Sequence, residues 1–199
     1  MADRLRRTTR ACRRSTALLV AGALVVLALP CRAVASCPAD PSASADTVLT
    51  LRIGAQPPVR LDLRAVTALG ERQLTQRRSV ASGSGASAVA TEQSVVYAGV
   101  PLGVLIGAAG GGPTERRDQR SWVFDAVATD GYRAVFSWGE LFNSDAAEQI
   151  LVITAQDGRP LDAREGPLAL RALADRRPGP RHVRNLCAII VRALPLADR

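Results

Sequence analysis

Short runs of alternating apolar and polar residues dominate the chain after residue 46, and Gly, Pro or Asp residues bound most of them. This period-two pattern predicts half-buried β-strands, whereas apolar residues at helical spacing occur only in short segments. The predicted strands cover residues 47–53, 59–63, 73–81, 94–97, 121–128, 132–136, 150–154, 168–173 and 186–192.

The segments between these strands predict a few short helices and one tight hairpin. One helix starts after a capping Asp62, a second is indicated by the apolar spacing within 102–106, and a third follows a capping Ser137. Asp130-Gly131 lies between two alternating runs and is a strong signal of a short hairpin. Many short strands with two or three short helices predict an α+β fold rather than a doubly wound sheet.

The first 36 residues have the pattern of an export signal. Six Arg residues precede an apolar run of thirteen residues, Ala17–Leu29, and Ala33-Val34-Ala35 supplies the small residues that signal peptidase needs. As a helix this run covers about 20 Å, short of the roughly 30 Å hydrocarbon core of a bilayer. We therefore expect a cleaved leader (1–36), a flexible lead-in (37–46), one folded domain (47–194), and a periplasmic or extracellular location.

Two features of the leader leave its processing open. Val34-Ala35-Ser36-Cys37 resembles a lipoprotein box, in which Cys37 would be acylated and the protein tethered to a membrane; residues 30–36, however, separate Cys37 from the apolar run. Arg13-Arg14 is compatible with twin-arginine export, although Thr16-Ala17 stands where that motif prefers large apolar residues.

The positive charge of the chain belongs mostly to the leader. The chain has 26 basic and 18 acidic residues and a net charge of +8, and seven of the Arg residues and one Asp lie in residues 1–36. The remaining 19 basic and 17 acidic residues leave a net charge of +2. No nucleic-acid partner is implied. All 26 basic residues are Arg, which indicates a compositional bias and lowers the functional information that each one carries.

Cys37 and Cys187 are the two cysteines outside the leader, and they provide neither a disulfide framework nor a metal-ligand spacing. The apolar surroundings of Cys187, in Leu186–Val191, favour a buried core thiol. A Cys37–Cys187 bridge is the alternative in an oxidising compartment.

Five short segments follow one another in an order that resembles a known domain. They are Tyr97-Ala98-Gly99-Val100-Pro101-Leu102, Asp130-Gly131-Tyr132, Asp157-Gly158-Arg159-Pro160-Leu161, Gly166-Pro167-Leu168 and Arg181-His182-Val183-Arg184. The succession resembles the sulfite oxidase-like, molybdopterin-binding oxidoreductase domain over residues 47–192. The resemblance implies a short, single-domain member of that superfamily with its α+β fold.

The last of these segments carries the candidate site. Arg181-His182-Val183-Arg184 looks like the Arg-His-Val-Lys segment of sulfite oxidases, with Arg184 in place of the lysine. The resemblance implies that His182, Val183 and Arg184 contact a molybdenum–pterin cofactor and that Arg181 supports them. Positive charge on a glycine-bearing loop suits the phosphate of molybdopterin. The alternative is a solvated basic loop over 174–182, with His182 partly exposed.

Three positions depart from the pattern of the superfamily. Its enzymes ligate molybdenum through a cysteine upstream of the Asp-Gly-Tyr segment, and residues 39–186 contain no cysteine. Glu165 stands where sulfite oxidases have a histidine before Gly-Pro, and Ala169 stands where they have an arginine. Arg171 replaces that arginine only if the register shifts by two residues, which would keep it on the same face of a strand. We therefore assign no catalytic or metal-ligating residue.

Two functions remain open on these grounds. The first is an exported oxidoreductase-family protein that binds a molybdenum–pterin cofactor for redox chemistry outside the cytoplasm. The second is a non-catalytic binding or sensory domain on the same scaffold, which recognises a small anionic ligand or a partner protein. An upstream cysteine distinguishes the two, and its absence weighs against the first.

Overall fold

The computed structural model describes residue 37 and residues 43–82, 89–110, 121–177 and 179–195, so the predicted leader lies outside the described part of the chain. No helix in this part is long and apolar enough to cross a membrane. The strands are β1 (Leu49–Ile53), β2 (Val59–Leu61), β3 (Arg72–Ser82), β4 (Val89–Pro101), β5 (Trp122–Ala128), β6 (Arg133–Ser137), β7 (Ile150–Gln156), β8 (Arg159–Pro160), β9 (Ala169–Ala172), β10 (His182–Val183) and β11 (Leu186–Ala193). The α-helices are α1 (Leu63–Ala68), α2 (Leu102–Ala108) and α3 (Trp138–Phe142), and a 3₁₀ turn covers Ala147–Gln149.

The strands form two sheets. One has five strands in the order β2-β1-β11-β5-β6, and the other has the order β10-β9-β7-β4-β3 with β8 paired to β7. The β1–β11 pair is parallel, and the other pairs between described strands are antiparallel. Because β10 ends one sheet and β11 lies in the middle of the other, residues 184–185 carry the chain from one sheet to the other.

One apolar core joins the two sheets and the three helices. Its largest fully buried side chains come from both sheets and from α2, and they include Leu51, Leu102, Leu105, Ile106, Phe124, Phe136 and Leu170. A smaller buried cluster, which includes Val95, Tyr97, Leu151 and Ile153, lies on the other face of the β9-β7-β4 region. Alternation along β4 and β7 divides their side chains between the two clusters, as the period-two pattern predicts.

Two predicted helix starts are confirmed by their capping bonds. The Asp62 carboxylate accepts a hydrogen bond from the Ala65 backbone N–H at 2.7 Å, at the start of α1. Ser137 and Glu140 form a reciprocal capping box at the start of α3, in which Ser137 N–H donates to Glu140 Oε2 at 2.8 Å. The Asp130-Gly131 hairpin is also confirmed, since β5 and β6 pair on either side of it.

The structure differs from the prediction along β4, which extends beyond the predicted strand over 94–97 in both directions and includes Gly99-Val100-Pro101. Gly99 explains this difference, because a Cβ atom there would lie 2.4 Å from the Val152 carbonyl oxygen. The missing side chain lets β4 approach β7, and the register between the two strands shifts between Ala98 and Gly99. Residues 83–88, between β3 and β4, lie outside the described part.

The prediction of a free core thiol at Cys187 was wrong. Cys187 is half-buried and forms a disulfide with Cys37, with a Cα–Cα distance of 6.0 Å. The alternative named from the sequence, a Cys37–Cys187 bridge, is the one that the structure contains, across a separation of 150 residues. Of the predicted lead-in, residues 38–42 lie outside the described part, and Thr47 N–H donates to the Ser44 carbonyl at 3.1 Å in a turn before β1.

Candidate functional site

The candidate site lies where the chain passes from β10 to β11, beside the β5–β6 hairpin. The Tyr132 hydroxyl donates a hydrogen bond to the Pro180 carbonyl at 2.6 Å, and Thr129 N–H donates to the Asn185 carbonyl at 3.0 Å. These bonds hold the 179–185 segment against the hairpin. An open cleft of about 370 Å³ lies between this segment and the hairpin. It is lined by Ala128, Asp130, Tyr132, Gly179, His182 and Arg184.

Antiparallel pairing of β9 and β10 places Arg171 opposite His182 and Leu170 opposite Val183. Because successive side chains alternate between faces, Leu170 and Val183 enter the apolar core while Arg171 and His182 share the opposite face. The structure thus brings Arg171 to the site. The Arg171 guanidinium lies 5.1 Å from the centre of the buried Tyr97 ring, where a cation–π contact holds it.

Glu165 is the centre of the polar cluster. Its Oε1 atom accepts hydrogen bonds from Arg184 Nε at 3.1 Å and from Arg171 Nη2 at 3.3 Å. Its Oε2 atom lies 2.6 Å from His182 Nε2. The Glu165 side chain is only 14% exposed, and those of Arg171 and His182 are 10% and 8% exposed. Two guanidinium groups and one imidazole therefore surround a single, largely buried carboxylate.

A tight turn before β9 fixes the position of Glu165. The Asp162 carboxylate accepts hydrogen bonds from the backbone N–H groups of Arg164 at 2.9 Å and Glu165 at 3.0 Å, and these bonds lower the pKa of Asp162. Asn185 secures the other side, since its N–H donates to the Glu165 carbonyl at 2.7 Å. Its side-chain amide donates to the Arg164 carbonyl at 3.0 Å. The local backbone, and not only the ion pairs, sets the direction of the carboxylate.

Gly166 permits this close approach, and replacing it with alanine should destabilise the fold by about 2–3 kcal/mol. Its φ is +83°, and an added Cβ would lie 2.4 Å from Asn185 Oδ1 and 2.9 Å from Asn185 Cα. Gly158→Ala is the matched control, because Gly158 has a φ of +72° but nothing within 4 Å of the added atom. Urea unfolding should show a larger loss of stability for Gly166→Ala than for Gly158→Ala. Equal losses would mean that the positive φ alone, and not the contact with Asn185, causes the destabilisation.

His182 is neutral at pH 7 in this environment. Burial lowers its pKa below the usual value, the nearby Arg171 lowers it further, and the hydrogen bond with Glu165 only partly offsets these effects. Because a carboxylate only accepts hydrogen bonds, the neutral imidazole carries its proton on Nε2 and leaves Nδ1 as an acceptor. The candidate site therefore offers an imidazole acceptor and guanidinium donors together.

The lowered pKa of His182 predicts a loss of stability in mild acid. The unfolded chain takes up a proton near pH 6.5 while the folded protein resists it, so the free energy of unfolding should fall as pH drops below that value. The slope should not exceed about 1.4 kcal/mol per pH unit, the value for one proton. Urea unfolding of the wild type and of His182→Gln, measured as pH falls below that value, checks this prediction. The variant should lack the part of the stability loss that comes from the imidazole. Since the chain has one histidine, a single imidazole NMR signal reports the pKa directly.

Arg181 belongs to a second cluster. It forms ion pairs with Asp175 and Glu140, with Arg181 Nε donating to Asp175 Oδ2 at 2.8 Å, and its guanidinium lies 5.0 Å from the centre of the Phe136 ring. The hydrogen bond with Asp175 raises the pKa of Arg181 despite partial burial. Burial raises the pKa of Glu140. Hydrogen bonds from Ser137 and Arg181 lower it by a larger amount, so the pKa is lower than usual. Arg181 thus anchors the start of the 181–184 segment.

Glu165 is the member of the site that the sequence analysis did not assign, since it was noted only as a departure from the superfamily. Asp162, three residues earlier, was the available signal, because this spacing is typical of a side chain that caps a turn.

The described residues were also compared with the needs of a metal site. Among the described residues, no group of three or more His, Cys, Asp or Glu side chains is placed to hold a metal ion.

Comparisons with known proteins bear on the fold. No protein-family model matches the chain, and no curated protein matches it. The structure is similar to the sulfane dehydrogenase SoxCD from Paracoccus pantotrophus, with a TM-score of 0.53 at 16% sequence identity. The fold is sulfite oxidase-like. The similarity covers 73% of this chain and 38% of that chain, so it extends over less than half of the dehydrogenase.

The sulfite oxidase-like α+β fold predicted from the sequence is therefore confirmed. At 16% identity the similarity concerns the fold alone. The function has to be argued from the residues of this chain. The contacts predicted for Arg181, His182, Val183 and Arg184 with a cofactor stay predictions. His182 and Arg184 line the cleft, whereas Val183 is buried in the core and Arg181 is held by Asp175 and Glu140.

Proposed function

We propose that this chain is an exported, non-catalytic binding domain on a sulfite oxidase-like scaffold, and that it binds a small anionic ligand in the cleft beside Arg184. The position of Arg184 carries the proposal. Its side chain is 54% exposed and lines the cleft, and among the described contacts only its Nε atom is engaged, by Glu165. The remaining guanidinium N–H groups can donate to a carboxylate or a similar oxyanion. Tyr132 also lines the cleft and is 43% exposed, so its ring offers an apolar surface.

The residues of this chain do not fit a molybdenum centre of the kind that the fold resemblance implies. Such a centre needs a thiolate ligand, and residues 39–186 contain no cysteine. Cys37 and Cys187 form a disulfide with each other and present no thiolate. The polar cluster is also largely neutralised from within, because Glu165 contacts both Arg171 and Arg184. We derive no redox step for this chain.

Binding of a molybdenum–pterin cofactor is the second candidate, and one observation favours it. His182 and Arg184, two of the four residues in the segment that resembles Arg-His-Val-Lys of sulfite oxidases, line the same cleft. Were the cofactor present, these residues would hold its pterin and phosphate, and the cofactor would supply oxygen-atom or electron transfer. The amount of molybdenum and pterin in the purified protein separates the two candidates.

Two features support export. The leader has the basic, apolar and small-residue pattern of a signal peptide, and the Cys37–Cys187 disulfide requires an oxidising compartment. The disulfide also bears on the fate of Cys37, because a sulfur atom joined to Cys187 cannot carry a lipid. We therefore propose cleavage of the leader without lipidation, in a periplasmic or extracellular protein.

Titration with acetate tests the proposed anion site. Addition of acetate to the wild type should shift the single imidazole NMR signal saturably, since His182 lines the cleft. Arg184→Ala should weaken this binding by about tenfold, the effect of losing roughly 1.4 kcal/mol of charge-assisted hydrogen bonding. Arg64→Ala, an exposed position on α1 outside the cleft, is the matched control and should bind as the wild type does. A signal that does not respond in the wild type would contradict the proposal.

A further inference from the structure

The Glu165 carboxylate has the surroundings of a bound anion. Three donors converge on its two oxygens: Arg171 and Arg184 on Oε1, and His182 on Oε2. Proteins hold free carboxylates and phosphates with the same arrangement of guanidinium and imidazole donors. We call the three donors, Arg171, His182 and Arg184, the cradle. An external anion has to displace Glu165 before it can occupy the cradle.

The backbone makes this displacement difficult. Glu165 is tied to Asp162 through its own N–H and to Asn185 through its carbonyl, at 3.0 Å and 2.7 Å respectively. Gly166, the next residue, lies so close to Asn185 that no side chain fits between them. The turn cannot swing away without breaking these contacts, so Glu165 is a fixed part of the site and not a mobile surface residue.

The charge of the cradle then decides which anions it admits. With His182 neutral, the cradle carries the two guanidinium charges of Arg171 and Arg184. Glu165 offsets one of them, so the cradle and Glu165 together have a net charge of one positive unit. Asp130 lines the same cleft and adds a negative charge to it. A monoanion can pair with the exposed part of Arg184, whereas the second charge of a dianion would meet Glu165 and Asp130, and with Asp130 counted no net positive charge is left to offset it.

We propose that Glu165 is an internal carboxylate that occupies the anion position of the cradle and restricts the cleft to monoanions, so that sulfate and phosphate dianions are excluded. The inference rests on the proposed function, because both place an anion at Arg184. It adds that the ligand is a monoanion and that Glu165 selects it. The excluded class includes phosphate-bearing cofactors.

Sulfate titration of Glu165→Gln tests this proposal. Glutamine keeps the size of the side chain and an oxygen that can accept from His182, but it removes the charge. The variant should bind sulfate at least about tenfold more tightly than the wild type, measured by the imidazole NMR signal and by calorimetry. Glu140→Gln is the matched control, because it removes a carboxylate from an arginine in the other cluster and should leave sulfate binding at the wild-type level.

Equal sulfate affinity in Glu165→Gln and the wild type would overturn the proposal. If the variant does not fold in chloride buffer, sulfate has to restore folding more than chloride at the same ionic strength, and absence of such rescue also overturns it. Failure of the proposed function is separately visible. A wild type that binds neither acetate nor sulfate would contradict the acetate site, while a gain of sulfate binding in Glu165→Gln would still support the role of Glu165.

Discussion

Reduction of the Cys37–Cys187 disulfide is expected to lower the free energy of unfolding by about 2–5 kcal/mol. The bond closes a loop of 150 residues, and chain-entropy arguments give about 5 kcal/mol for a loop of that length. Because a small domain has a total stability of about 5–15 kcal/mol, a change of this size is a large part of the whole. Urea unfolding of the exported protein with and without a thiol reductant measures the effect.

Serine variants provide the control for this prediction. Cys37→Ser, Cys187→Ser and the double variant remove the same cross-link, so all three should lose similar stability and none should respond to reductant. The exported wild-type protein should show no free thiol before reduction and two afterwards, and its mass should show no lipid. Two free thiols in the native protein, or a lipid on Cys37, would contradict both the bond and the proposed processing of the leader.

Glu165→Ala should cost about 3 kcal/mol of stability, at the lower end of the effects seen when one partner of a buried ion pair is removed. Arg184 is half-exposed and can be solvated again, but Arg171 and His182 are 10% and 8% exposed and cannot. A buried guanidinium without its carboxylate carries the full penalty of desolvation. Urea unfolding at pH 7 gives the loss, and the imidazole NMR signal should shift in the same variant.

Glu140→Ala separates this penalty from the general effect of losing a carboxylate. Glu140 is 40% exposed and pairs with Arg181, which keeps Asp175 as a second partner. Its loss should therefore cost about 1 kcal/mol, including its part in the capping box. If Glu165→Ala were no more destabilising than Glu140→Ala, the Glu165 cluster would not be the buried centre described above.

Local signals predicted the parts of the fold that local physics determines. Asp62 and Ser137 begin helices because their side chains accept bonds from backbone N–H groups three residues ahead. Asp130-Gly131 turns the chain because Gly131, at a φ of +87°, adopts a conformation that other residues rarely take. The order of segments over 97–184 indicated the sulfite oxidase-like scaffold, which the structure confirms.

Contacts between distant residues were only partly predicted from the sequence. Arg171 and His182 meet because β9 and β10 pair in one register, and the two-residue β10 is too short to show a pattern. The Cys37–Cys187 bridge was named only as the alternative, because no local pattern links residues that lie 150 positions apart. The sequence singled out His182 and Arg184, and both line the same cleft, while their contact with a cofactor stays a prediction. That Glu165 would contact both of them depends on a turn and a strand pairing that no local pattern encodes.

The molybdenum and pterin content of the exported protein tests the central claim most directly. Full-length protein would be produced in a bacterium that makes the molybdenum cofactor, purified after export, and analysed for bound molybdenum and for pterin fluorescence after oxidation. A binding domain without a thiolate ligand should emerge folded and contain neither. Molybdenum and pterin in near-equal amounts to the protein would contradict this account and establish a cofactor protein with an unusual set of ligands.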